Sequence, residues 1–188
     1  VVGILTGEDI AKDKIGGLIA GWAIRSEDGS EMKCPPNPPL AKDNVNFVGD
    51  PIAVVFAETL DEAKLAAELV NVDYKILKGV TSLADTMNSE AIHEGIEKNL
   101  CYDWLLGDRQ KVKEAFDKAD KIIKLDITNN RLIRNAMEPR ACVVDYNTAS
   151  EEITCYTTSQ NPHLSRLIMS AFGGVAPENK LRVVAPDV

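Results

Sequence analysis

At 188 residues and 45% hydrophobic content, the chain is long enough to bury a substantial core as one large domain or two small ones. Its 21 basic against 29 acidic residues give a net charge of −8, which argues against nucleic acid or an anionic membrane as the main partner. No run approaches the roughly 18 apolar residues of a membrane helix, and the opening Val1-Val2-Gly3-Ile4-Leu5 is too short for a signal-peptide core, so a soluble protein is expected.

Val1 to Leu5 predicts a short strand, and Thr6 before Gly7-Glu8-Asp9-Ile10 a helix start, with a hydroxyl cap and acidic residues in its first turn. Cys34-Pro35-Pro36-Asn37-Pro38-Pro39 carries four prolines in six residues and must run extended, as a loop or surface arm. Val45 to Val48 and Ile52 to Ala57 are β-branched and apolar, with Gly49-Asp50-Pro51 as turn residues between them, and predict two consecutive strands. Leu60, Ala63, Ala67 and Val70 place one aliphatic stripe on a helix over 60–69, and Val70 to Tyr74 then alternates as a strand does. The series implies an α+β unit over 1–78. Residues 79–106 lose the period and read as a connector.

A second unit is predicted over 107–188, opening at Gly107-Asp108. Asp108 can cap a helix whose Val112, Ala115, Phe116 and Ala119 would face a core. Strands are predicted over 121–128, 141–146 and 153–158, then a helix over 162–172 with Pro162 in its first turn and Gly173-Gly174 ending it. Leu181 to Ala185 predicts one more strand.

Chemistry is sparsely signalled. Cys34, Cys101, Cys142 and Cys155 lack any C-x-x-C pair, so a thiolate-bound metal or cluster is not expected. Cys142 and Cys155, in apolar runs, read as small buried side chains, which fits a cytoplasmic setting. His93 and His163 have no ligand-spaced companions, and a metal site of protein ligands is not expected. The nucleotide-binding, metalloprotease and hydrolase signatures are missing as well. Two polar strings stand out, Met137-Glu138-Pro139-Arg140-Ala141 and Thr158-Ser159-Gln160-Asn161-Pro162-His163, the latter at a strand-to-helix junction of the kind where ligands often bind. By pattern alone, Glu138 and Arg140 read equally as an ion pair at a strand entrance, and Gln160 as an amide that caps the loop.

Two stretches, Val45 to Val55 and Ala66 to Tyr74, resemble the α/β hammerhead domain of the xanthine dehydrogenase and aldehyde oxidase family. Gly107-Asp108, Ala115-Phe116, Ala119-Asp120, Met137 to Ala141, Gln160 to His163 and Arg182-Val183-Val184-Ala185-Pro186-Asp187-Val188 resemble the start of that family's molybdopterin-binding domain. The strings follow the family's order over nearly the whole chain. Among subfamilies, the last string and Gln160-Asn161-Pro162-His163 are most similar to the large chain of aerobic carbon monoxide dehydrogenase.

The resemblance implies an α+β fold, a hammerhead domain followed by the incomplete start of the molybdopterin-binding domain. It implies a molybdenum pterin in the longer protein, oxidation of a small substrate (carbon monoxide, an aldehyde or an N-heterocycle) with water-derived oxygen, and electron transfer to an iron–sulfur small subunit and a flavin medium subunit. Gln160 matches the family glutamine whose amide points at an oxo ligand of the molybdenum, and Glu138 an acidic residue at the edge of the substrate channel. The family's glycine-rich cofactor loop and its catalytic glutamate, the general base, would lie beyond Val188, as would the cysteine loop that defines carbon monoxide oxidation, so this chain alone is expected to hold no cofactor and to be inactive. With no initiator methionine it reads as a piece of a longer chain whose strands leave an unpaired edge. The rival expectation is a subunit-docking or assembly module without redox chemistry.

Overall fold

The structure, a computed structural model, describes residues 1–20, 23–130 and 132–186; the Asp187-Val188 end of the last family string lies outside the described residues. The N-terminal unit is built on two antiparallel strands, β1 (Gly3–Thr6) and β2 (Ala53–Phe56), with Gly3 opposite Phe56 and Thr6 opposite Ala53. Helix α1 (Gly7–Lys12) follows β1 without a loop, because Asp9 accepts both the backbone N–H and the hydroxyl of Thr6 at 2.8 Å and ties off the chain reversal. Ile10 and Leu40 are buried together with Gly7, where a side chain has no room: a Cβ on Gly7 would lie 2.4 Å from the Ala41 carbonyl oxygen. Helix α2 (Leu60–Glu68) opens on a reciprocal cap in which the Glu62 N–H donates to the Thr59 hydroxyl and the Thr59 N–H to the Glu62 carboxylate, both at 3.3 Å.

Between the units, short 3-10 turns at Thr86–Asn88 and Glu97–Asn99 are clamped by Asn99, whose amide donates to the carbonyls of Thr86 and Glu90 and accepts from the Ile92 N–H. The chain then straps back on the N-terminal unit, as the Lys33 N–H donates to the Cys101 carbonyl and the Glu27 N–H to that of Asp103. Arg109 closes the strap with a bidentate grip on Glu27, which holds its guanidinium charged by hydrogen bonding and by the nearby carboxylate.

The second sheet has the order β3-β4-β5: β3 (Cys142–Asn147) is antiparallel to β4 (Glu152–Thr157), and β5 (Leu181–Val184) runs parallel to β4. The β3–β4 turn is set by Asn147, whose side-chain oxygen accepts from the N–H groups of Ala149 and Ser150. A parallel pair needs a crossover, and here it is α4 (Pro162–Leu167) continuing into a π-helical turn (Ile168–Phe172). Gly174, at φ 67°, ends that run in a conformation that disfavours side chains.

Several expectations are overturned. Val45 to Val48 is not a strand, since the Asp50 carboxylate accepts the Asn46 N–H and the chain turns at Phe47–Asp50. Val70 to Tyr74 is unpaired too: the Val70 N–H still bonds back to Ala67, and no strand of the described residues lies alongside. The inner face of α2 is Ala63 and Ala66, not the Leu60/Ala67/Val70 stripe, because Leu60 stays 69% exposed. Helix α3 (Arg109–Asp117) is capped by Asp108 as expected, yet Val112 and Phe116 are exposed and face no core of the described residues. Residues 121–128 form no strand despite their alternation, for the same want of a neighbour. Of the two cysteines expected to be buried, Cys155 is and Cys142 is not.

Candidate functional site

Register alone brings the polar strings together. Cys142 pairs with Thr157 across β3 and β4, and Tyr156 pairs with Val184 across β4 and β5. Met137 to Ala141 therefore leads into one end of the sheet, Thr158 to His163 leaves the same end, and Ala185-Pro186 emerges beside it. Carboxyl ends of parallel strands, where backbone and loop groups converge, are the usual position for ligands in sheets with crossover helices.

A small open cavity of about 180 Å³ lies at this end, lined by Glu138, Ala141, Cys142, Tyr156, Thr158 and Pro186 among others. Glu138 and Arg140 are exposed and form no ion pair with each other among the described residues, contrary to the expected pair at a strand entrance. Gln160 stands two residues past the cavity's Thr158, exposed at the junction of β4 and α4. The loop is capped by Ser159 instead: its hydroxyl accepts the Asn161 N–H at 3.1 Å and lies 3.0 Å from the Ser165 hydroxyl. Gln160 is thus not needed as the capping amide, and its side chain makes no hydrogen bond among the described residues.

Cys142, Tyr156 and Pro186 were not expected at a site. Only the pairing register, which places Cys142 beside Thr157, could have found them. Burial pushes the thiol of Cys155 up from its ordinary range, with a smaller push from Cys142, so that it stays protonated near neutral pH. His163 is exposed in the first turn of α4 and His93 is half-buried in the connecting stretch; neither meets the cavity. Among the described residues, no group of three His, Cys, Asp or Glu side chains could hold a metal ion, and no helix is long and apolar enough to cross a membrane.

Residues 1–78 match the model of the aldehyde oxidase and xanthine dehydrogenase a/b hammerhead domain, and residues 92–188 that of the molybdopterin cofactor-binding domain. The chain belongs to the xanthine dehydrogenase and aldehyde oxidase family. The second match begins inside the stretch expected to be a connector. Relatives within the family include the carbon monoxide dehydrogenase large chain of Afipia carboxidovorans, 30% identical over 79% of this chain and 20% of that one. Another is the nicotine 6-hydroxylase large subunit of Paenarthrobacter nicotinovorans, 27% identical over 80% of this chain and 18% of that one. A crystal structure of the Cu,Mo-CO dehydrogenase superposes with a TM-score of 0.81 at 26% identity, over all of this chain and 24% of that one. Quinoline 2-oxidoreductase from Pseudomonas putida 86 gives 0.79 at 25% identity, over 99% of this chain and 23% of that one. The chain thus spans about a fifth of the length of the curated relatives named here.

A family member's molybdenum pterin must be tested against this site. Ligand pockets usually enclose roughly 300–1,000 Å³, so the cavity here is too small to surround such a group. The residues at this sheet end do suit one wall of such a group: Thr158, with its hydroxyl, lines the cavity, and the exposed amide of Gln160 stands two residues beyond it.

Proposed function

We propose that this chain forms part of the large subunit of a molybdenum hydroxylase, contributing one wall of the cofactor site through Gln160. When bound, the molybdenum pterin supplies a two-electron acceptor for oxidation of a small substrate, with the oxygen of the product drawn from water. The Gln160 amide donates a hydrogen bond toward the cofactor and steadies negative charge there. Glu138, on the cavity wall, stands at the edge of the substrate channel behind the groups that touch substrate. Carbon monoxide, an aldehyde or an N-heterocycle is the substrate class, and electrons leave to an iron–sulfur small subunit and a flavin medium subunit. The unpaired thiols suit a cytoplasmic setting. We keep 1–78 and 107–188 as the two units and 79–106 as the connector between them.

The observation that carries this reading is the convergence of three family strings on one sheet end with Gln160 released from loop capping. In the full-length complex, Gln160→Ala should lower kcat on the order of 10²- to 10³-fold while molybdenum content stays at the wild-type level. Turnover would be assayed with carbon monoxide, an aldehyde and nicotinate in parallel. Wild-type turnover in the variant would remove Gln160 from the chemistry. A stable wild-type complex free of molybdenum would favour an assembly module, for which the many exposed apolar side chains speak.

A further inference from the structure

We propose that Gly16, in the N-terminal unit, is a positioning residue for Gln160, acting through the crossover helix; the proposal rests on the assignment of Gln160 to the cofactor wall. Gly16 touches the far end of that helix. Its N–H donates to the Gly173 carbonyl at 3.0 Å, and a Cβ on Gly16 would lie 1.9 Å from the Phe172 carbonyl oxygen. Only a residue without a side chain permits this approach. Gly173 is buried there, and its own N–H donates to the Ile168 carbonyl at 2.8 Å, closing the π-helical turn. Such turns are rare and concentrate at functional sites.

From Phe172 the link runs back along one continuous helical body to Pro162. Arg166 holds that body to Glu178 at 2.8 Å, ahead of β5. At its N-terminal end the Ser165 hydroxyl meets that of Ser159, which in turn fixes the Asn161 N–H. Gln160 sits between those two fixed residues. A push at Gly16 is transmitted to Gln160 because every joint between them is a hydrogen bond or a helical turn. Gly79, by contrast, has open space where a Cβ would stand.

Relieving the clash in Gly16→Ala requires a shift of about 1 Å, a displacement that can cost on the order of 100-fold in rate when it reaches the reacting groups. In the full-length complex, Gly16→Ala should lower kcat about 10- to 100-fold with KM and molybdenum content little changed, and Gly79→Ala should leave all three at wild type. Hydrogen exchange of the amides over 159–165 should speed up in Gly16→Ala only. If Gly16 acts through Gln160, adding Gly16→Ala to Gln160→Ala lowers kcat no further, whereas multiplying losses would overturn the proposal. Should Gln160→Ala leave turnover intact, the assignment of Gln160 fails, and the exchange data still judge the link: unchanged rates over 159–165 refute it. If Gly16→Ala does not fold, native-state exchange of the wild type decides, since the Gly16 amide must share its protection with those of 164–173; unequal protection refutes the link.

Discussion

Asp9, half-buried at the start of α1, titrates below its ordinary value of 3.8, because the backbone N–H and hydroxyl of Thr6 both donate to its charged form. A carboxylate depressed in the folded state stabilises fully above its unfolded value, and that stabilisation is lost as pH falls through the lower folded value. Asp9→Asn should therefore weaken the protein near pH 6 and flatten the acid limb of its stability curve, as read by urea melts between pH 2 and 6. Cys155 has the opposite sign: its raised value favours the neutral thiol in the fold, so its contribution is lost as pH climbs past 9.0. At neutral pH a thiol reagent should modify Cys34, Cys101 and Cys142 before Cys155; equal rates for all four would contradict the burial. The Thr6 and Asp108 caps were legible from residue type, whereas the exposure of Cys142 was not, because an apolar run does not say whether its strand is central or at an edge.

Several elements that formed where the pattern placed them are closed by local chemistry. Helix α2 has its reciprocal Thr59–Glu62 cap, α3 its Asp108 cap, and the β3–β4 turn its Asn147 bracket. Thr59→Ala should cost about 1 kcal/mol, visible as a lower urea midpoint with an unchanged slope. The elements that did not form are strands lacking a neighbour. Residues 121–128 alternate well, but Ile123, Leu125 and Ile127 are 83%, 78% and 79% exposed. A strand is a pairing, and alternation supplies only one of its two sides.

Among the described residues of the whole molecule, the buried apolar side chains are few: Ile10, Leu40, Ile96, and Cys155 and Leu181 on the neighbouring strands β4 and β5. Leu181→Ala should cost about 2–5 kcal/mol as a core truncation, while Ile123→Thr should stay within about 0.5 kcal/mol and reduce self-association, both measured on this chain by urea denaturation and light scattering. The second sheet exposes β3 along an edge that pairs with no further strand of the described residues, and Val143 and Tyr146 on it are more than half exposed. Its 188 residues therefore leave much apolar surface in contact with water.

Residue order alone carried the family, the hammerhead-then-cofactor-domain arrangement and the two polar strings, because motifs and caps are written in neighbouring residues. It also singled out Gln160, though not that the loop is capped without it: that depended on Ser159 reaching Ser165, six residues on. Only the tertiary structure set Glu138, Cys142, Tyr156, Thr158 and Pro186 around one cavity, since strand register joins residues far apart in the chain. The contact of Gly16 with Phe172 and Gly173 is of the same kind, for a glycine gives no sign in sequence of the backbone it must admit.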